Sequence, residues 1–390
     1  MSTYKDNLWK MYLLEFFRGL HFIGGVLVPF FTVWAGISLT QVFLLQSWFM
    51  MWVFLLEIPT GTIADRFGRK TSISLACFTA VIAPLVYASY PIFAVFLLGE
   101  FIWALGSALF SGANEALIYD TLKKIKQEKL SKKFFAKTRS MHLIALMIAA
   151  PIGSLIAQYI GLRETMLFLA APMFVSFIVS LTLKEPPVIR KQEKYLKILK
   201  DGVKFFTTHR VLKLLALDVV IIHALCWSII WLYQPMLMQY GVKIVYFGIV
   251  HSLLVLSQIV VMNKYSWFEE KLSGKRRYIV FSSIIAGTML ILAGIANHVY
   301  IFMGAVIVLT GFGISRRPLF YSYMNKYIPS NKRATVMSTV SMLGTISIAI
   351  TYPLIGRSAE WSLNYTMIML GIVVILFSLI SRVEESMLID

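Results

Sequence analysis

The sequence predicts an all-α membrane protein of twelve transmembrane helices in two pseudo-symmetric six-helix bundles. Three observations lead there: composition, the spacing of apolar runs and a weak internal repeat. Of the 390 residues, 58% are hydrophobic and only 14% are charged. The mean hydropathy of +0.75 lies far outside the range of a soluble domain. Runs of about 20 apolar residues, each long enough to cross a bilayer as a helix, recur twelve times. They fall at roughly 8–33, 41–63, 70–89, 92–122, 134–160, 165–184, 211–236, 243–265, 276–297, 299–325, 334–357 and 362–381.

The net charge of +18 would suit nucleic acid if the basic residues formed one face. They fall instead in short loops, on alternate sides of the chain. One side carries Arg66, Arg69 and Lys70, then Lys123 to Lys133, Lys184 to Lys213, Lys271 to Arg277, and Lys326 to Arg333. The other side carries Arg163, Lys243 and Arg357. That asymmetry excludes a nucleic-acid partner and predicts both termini in the cytoplasm, with the chain in the cell (plasma or inner) membrane. Cys77 and Cys226 lie inside apolar runs and imply no disulfide framework. The first run is too long for the apolar core of a cleavable signal, so it is expected to stay as the first span.

The longest connection separates two halves. Residues 1–184 form the first expected bundle, 185–210 a cytoplasmic linker and 211–390 the second bundle. In the linker, Glu185-Pro186-Pro187 stops the preceding helix, and the Lys-rich stretch through Tyr195 and Phe205 reads as an amphipathic surface helix. The halves repeat weakly. Phe268 to Arg276 is a degraded copy of 61–70, about 206 residues downstream, and Ala150-Pro151-Ile152-Gly153 is echoed by Tyr352-Pro353-Leu354-Ile355-Gly356.

Between the second and third runs stands Gly61-Thr62-Ile63-Ala64-Asp65-Arg66-Phe67-Gly68-Arg69-Lys70. It resembles the signature loop of the major facilitator superfamily, Gly-x-x-x-Asp-Arg-x-Gly-Arg-Lys/Arg. Gly61, Asp65, Arg66, Gly68, Arg69 and Lys70 fall on that pattern without a gap. The resemblance implies the major facilitator fold, alternating access, and a gating role for this loop in which Arg69 reaches Asp120 at the end of the fourth helix. The other reading of the loop is a static surface salt bridge that sets topology. Within the superfamily the chain resembles most the drug/proton antiporter branch, being short with minimal loops. That implies proton-coupled efflux of amphipathic or drug-like molecules, a proton as coupling ion and no cofactor. In one respect the chain departs from that branch: where an Arg is usual in the fourth span, Glu100 stands, with Ala104 and Gly106 after it.

Charges inside membrane spans are expensive and face a cavity or a partner. They are Glu15 and Arg18 in span 1, Glu100, Glu115 and Asp120 in span 4, Asp218 in span 7, and Arg316 and Arg317 in span 10. These spans line the cavity in the superfamily that the chain resembles. Glu15 and Arg18, three residues apart, can pair along one helix face. Two readings stay open for Arg18, Glu115, Arg316 and Arg317. They bind a charged substrate or carry the coupling proton, or they form buried ion pairs that close the inner half. Glu100 titrates, or snorkels outward.

Span 7 offers an aromatic and polar stripe of His223, Trp227 and Trp231, with Gln234 beyond, a candidate ligand wall or an interfacial belt. Span 4 adds Ser107, Ser111 and Asn114, and span 10 adds Tyr321 and Tyr323. No metal spacing, nucleophile elbow or phosphate-binding loop occurs, so the chain does not read as an enzyme. The expected partners are a small-molecule substrate and the lipid bilayer, with the protein a monomer. Alternatives to efflux are a symporter or facilitator for a small organic anion held by Arg18, Arg316 and Arg317, and a lipid-handling or sensor protein without transport.

Overall fold

The computed structural model describes residues 4–187, 195–329 and 332–388, and every regular element among them is helical. Eleven helical segments are long and apolar enough to cross a membrane. The helices are α1 (Asp6–Gly19), α2 (Leu39–Phe67), α3 (Arg69–Tyr87), α4 (Phe93–Phe110), α5 (Ala113–Lys124), α6 (Ser131–Tyr159) and α7 (Leu162–Leu181). They continue with α8 (Tyr195–Thr208), α9 (Arg210–Trp227), α10 (Ile229–Gln239), α11 (Phe247–Met262) and α12 (Tyr265–Lys271). The last are α13 (Lys275–Ile295), α14 (Val299–Leu309), α15 (Arg316–Tyr327), α16 (Arg333–Trp361) and α17 (Leu363–Ile380).

The first apolar run differs from the single helix expected. It leaves the α conformation after Gly19, and short turns bridge Leu20 to Val26 before Leu27–Pro29 and a π turn at Phe30–Trp34. Gly24, Gly25 and Pro29 supply the reason, since glycine gains little from a helix and proline lacks an N–H. Three further runs are interrupted: at Ser111-Gly112 between α4 and α5, at Ser228 between α9 and α10, and by a π turn at Thr310–Ile314 between α14 and α15. Gly112, at φ +71°, makes the first of these three breaks.

The polarity of the helices is inverted relative to a soluble protein. Tyr159, Leu354 and Ile380 are 78%, 70% and 72% exposed, whereas Ser180, Ser282, Ser283 and Thr366 are wholly buried and donate their hydroxyls to carbonyls of their own helices. Apolar faces outward with internally satisfied hydroxyls suit a hydrocarbon solvent.

The chain divides into two compact units, one of residues 1–192 with Lys243–Ser252, the other of Glu193–Val242 with Leu253–Asp390. In the first, α1 buries Leu8, Met11 and Leu14 with Ile73 of α3 and Leu117 of α5. Asn7 ties its start to the end of α7, donating to the Lys184 carbonyl at 2.8 Å and accepting the Lys184 N–H at 2.9 Å. In the second, α13 and α17 pack so closely that a Cβ on Gly287 would stand 2.8 Å from the Gly371 carbonyl, as small residues allow between membrane helices. The helix α8 sends Phe206 into the core of this unit beside Leu212 and Val336. Residues 188–194 of the expected linker lie outside the described residues.

Candidate functional site

The signature loop is built around a glycine. Gly68, at φ +108° and ψ 151°, ends α2 and starts α3 within one residue, a conformation that a side chain resists. The first N–H groups of α3 have no intrahelical acceptor, and Glu185 supplies one. Its carboxylate accepts from Arg69 N at 3.0 Å and Lys70 N at 2.7 Å. The Arg69 guanidinium donates to the Ala116 carbonyl at 2.9 Å and forms an ion pair with Asp120. Gly61 lies within α2, and Asp65 and Arg66 are exposed at its end.

A second cluster lies inside the first unit, beside the break in the first run. Glu15 does not form the expected ion pair with Arg18. One of its oxygens accepts from Asn114 Nδ2 at 2.6 Å, and the other lies 3.3 Å from Nδ1 of His142. Arg18 instead lays its guanidinium over the Phe110 ring, 3.4 Å from the centroid, where a planar cation is held by the ring's negative face. The guanidinium makes no hydrogen bond or ion pair among the described residues. Side chains from α5 and α6 reach Glu15, and the aromatic ring captures Arg18, so the tertiary partners win over the neighbour on the helix.

Arg18 borders a cavity of about 190 Å³ together with His21, Trp103, Ser107, His142 and Met173. His21 packs edge-on against Trp103, with ring centroids 5.5 Å apart. His142 escaped the sequence reading, in which His21 stands only as a weak, lone histidine. The signal available was a titratable side chain within an apolar run at each position.

The remaining candidates are distributed otherwise. Glu100 is 4% exposed, accepts from Gln46 at 2.9 Å, and does not line this cavity. Ser111 and Glu115 are exposed at the kink and on α5. In the second unit, Arg316 and Asp218 are each 2% exposed and pair at 2.8 Å, and Ser381 donates to the other Asp218 oxygen at 2.7 Å. Arg316 is thus paired with a carboxylate through one nitrogen, while its Nε and Nη1 have no hydrogen-bond partner among the described residues. Arg317 donates to Tyr321 at 2.9 Å and Ser341 at 3.1 Å, and Tyr323 is buried and bonded to Glu269. His223 and Trp227 pack together with centroids 5.4 Å apart. The expected stripe is broken after Trp227: Trp231 is 8% exposed and Gln234 1%, so Trp231 belongs to the core of the unit and not to an interfacial belt.

Eleven helical segments apolar enough to cross a membrane, with apolar faces turned outward, define a multi-pass membrane protein. The chain belongs to the major facilitator superfamily, whose family model matches residues 16–352; it is a transporter family and not an enzyme family. The chain is 24% identical over 351 residues to the uncharacterized MFS-type transporter YxaM of Bacillus subtilis (strain 168), which covers 85% of this chain and 84% of that one. Its fold is similar to that of the nucleoside transporter NupG, with a TM-score of 0.75 and 14% identity over 95% of this chain and 97% of that one. It is equally similar to a POT family transporter in complex with 5-aminolevulinic acid, with a TM-score of 0.75 and 16% identity over 99% and 97% of the chains.

Proposed function

We propose that the protein is a proton-coupled secondary transporter, working by alternating access, whose substrate carries an acidic group. The observation that carries this reading is Arg18, an unpaired guanidinium at a cavity inside a membrane-spanning unit. A charge there is costly unless a partner or ligand meets it. Glu15, one turn away and held by neutral Asn114 and by His142, is the group that takes the coupling proton. Arg18 is the anion-binding group of this reading, with Arg316 paired to Asp218 and Arg317 donating to the hydroxyls of Tyr321 and Ser341.

Efflux of amphipathic or drug-like molecules, which the resemblance to the drug/proton antiporter branch implies, is the second reading. The aromatic walls at Trp103 and Phe110 and at His223 and Trp227 favour it. In either reading the first run, though interrupted, is the twelfth crossing, and the two units correspond to six-helix bundles. The basic loops and both termini face the cytoplasm of a cell membrane. The protein acts as a monomer without a cofactor besides the proton. The loop Gly61 to Lys70 with Asp120 gates the inner side.

The test is transport into sealed proteoliposomes with an imposed pH gradient that an ionophore collapses. Acidic probes that accumulate only with the gradient, on the alkaline side, support the first reading. Movement of lipophilic cations towards the acidic side, with acids left behind, replaces it by the second.

A further inference from the structure

We propose that the cavity beside His21 is a subsite for a singly charged acid with a compact aromatic or aliphatic body, a monocarboxylate or monosulfonate, loaded together with one proton on Glu15. The proposal rests on the proton-coupled reading above and names the substrate class of that site.

The charge inventory sets the class. Among the described residues on the cavity wall, Arg18 is the one side chain that is a cation at every accessible pH. Its planar fork matches the two oxygens of a carboxylate or two of the three of a sulfonate. Phe110 holds one face of the guanidinium, which leaves the N–H edge for the ligand. Ser107 adds a hydroxyl, and Trp103, Ala80 and Met173 supply an apolar wall. One fixed cation balances one negative charge. A dianion would bring a second charge into a wall of this composition with no fixed partner, at a high desolvation cost.

The proton follows from the same geometry. The groups facing the site are Arg18, His21 and Glu15 from the first run, Cys77 from α3 and His142 from α6, with His251 at the start of α11 behind Gly24. With Glu15 ionised, Arg18 already has a compensating charge nearby, and an acid would add an uncompensated one. With a proton on Glu15, Arg18 and the acid compensate each other. Acid and proton therefore favour each other's binding by linkage, and the loaded site gains no net charge. Asn114 still hydrogen-bonds the protonated carboxyl through its amide.

The experiment is calorimetric titration of the purified full-length protein in lipid nanodiscs with benzenesulfonate, benzamide and phthalate, in buffers of different ionisation enthalpy. Empty nanodiscs serve as blank. Benzenesulfonate is expected to bind about tenfold or more tightly than benzamide, the worth of a charge-assisted contact, and phthalate more weakly than benzenesulfonate. The buffer dependence of the heat is expected to report one proton taken up. Glu15→Gln should bind benzenesulfonate with no proton uptake. Arg18→Gln should lose the preference over benzamide, while Arg18→Lys, folded alike by thermal unfolding, should keep part of it.

Equal binding of benzamide, tighter binding of phthalate, buffer-independent heat, or no binding of any probe at millimolar concentration each overturns the proposal. If benzenesulfonate binds with its proton but no solute follows a pH gradient, the subsite stands and the transport reading falls. If gradients drive cations and benzenesulfonate does not bind, the subsite falls and proton coupling stands.

Discussion

Glu185 and Glu385 make the same contact in the two units of the chain. Glu185 accepts the N–H groups of Arg69 and Lys70 at 3.0 and 2.7 Å, and Glu385 accepts those of Lys275 and Arg276 at 2.9 and 2.7 Å. Glu185 follows α7 and Glu385 follows α17, and each caps a helix that starts at a glycine, Gly68 at φ +108° or Gly274 at φ +155°. A negative charge on the exposed N–H groups of a helix start is favourable for both hydrogen bonding and the helix dipole. The weak sequence repeat is thus a repeat of one capping device.

Removing the cap should loosen the start of α3 in the first unit. Glu185→Ala is expected to destabilise by about 0.5–2 kcal/mol, the usual worth of an N-terminal cap. Glu185→Gln should cost less, because one amide oxygen remains as acceptor. Gly68→Ala forces a side chain into a glycine-only conformation, at about 1–3 kcal/mol, and its Cβ would stand 3.2 Å from the Glu185 carboxylate. Thermal unfolding of the purified variants, compared in one detergent, ranks the three.

The ion pair of Arg69 and Asp120 gives a charge-swap test of gating. Arg69→Asp or Asp120→Arg alone places like charges together and is expected to lower the transport rate by about tenfold or more. The double exchange should recover part of it. Recovery of stability without recovery of rate would leave the pair a static brace.

In the second unit, Asp218→Ala strands the buried Arg316 guanidinium, and the expected loss is about 3–5 kcal/mol of stability. Replacing both by apolar residues, Asp218→Leu with Arg316→Met, should restore much of it, since no charge is then left alone. Monodispersity and midpoint of thermal unfolding report both outcomes.

The two buried carboxyls of the first unit should behave oppositely. Glu15→Gln is expected to abolish accumulation driven by a pH gradient while leaving substrate exchange at equal pH intact. Glu100→Gln keeps an acceptor for Gln46 away from the cavity, so gradient-driven transport should persist. Running both variants through the accumulation and exchange assays decides whether the roles are reversed.

Much of the architecture was legible in the chain, because its signals are local. An apolar run of bilayer length is helical wherever it sits, since lipid offers its backbone no other hydrogen-bond partner. The loop from Gly61 to Lys70 was legible because its residues form one contiguous pattern, although the partners of Arg69 and Lys70, Asp120 and Glu185, lie far along the chain. Side-chain partnership was less so. Glu15 and Arg18 read as a pair on one helix face, and His223 to Gln234 as one continuous stripe. Both readings assume an undisturbed helix with no competing neighbour.

The sequence by itself determined the helices, their membrane setting and the family, through hydropathy, charge distribution and a contiguous motif. Only the tertiary structure decided which charges are spent and which are open. Asn114, His142 and Phe110 reach Glu15 and Arg18 from α4, α5 and α6, and Asp218 reaches Arg316 across 98 positions of sequence. In a low-dielectric interior the energy of a charge depends on its partners in space, and their distance along the chain carries no trace of it.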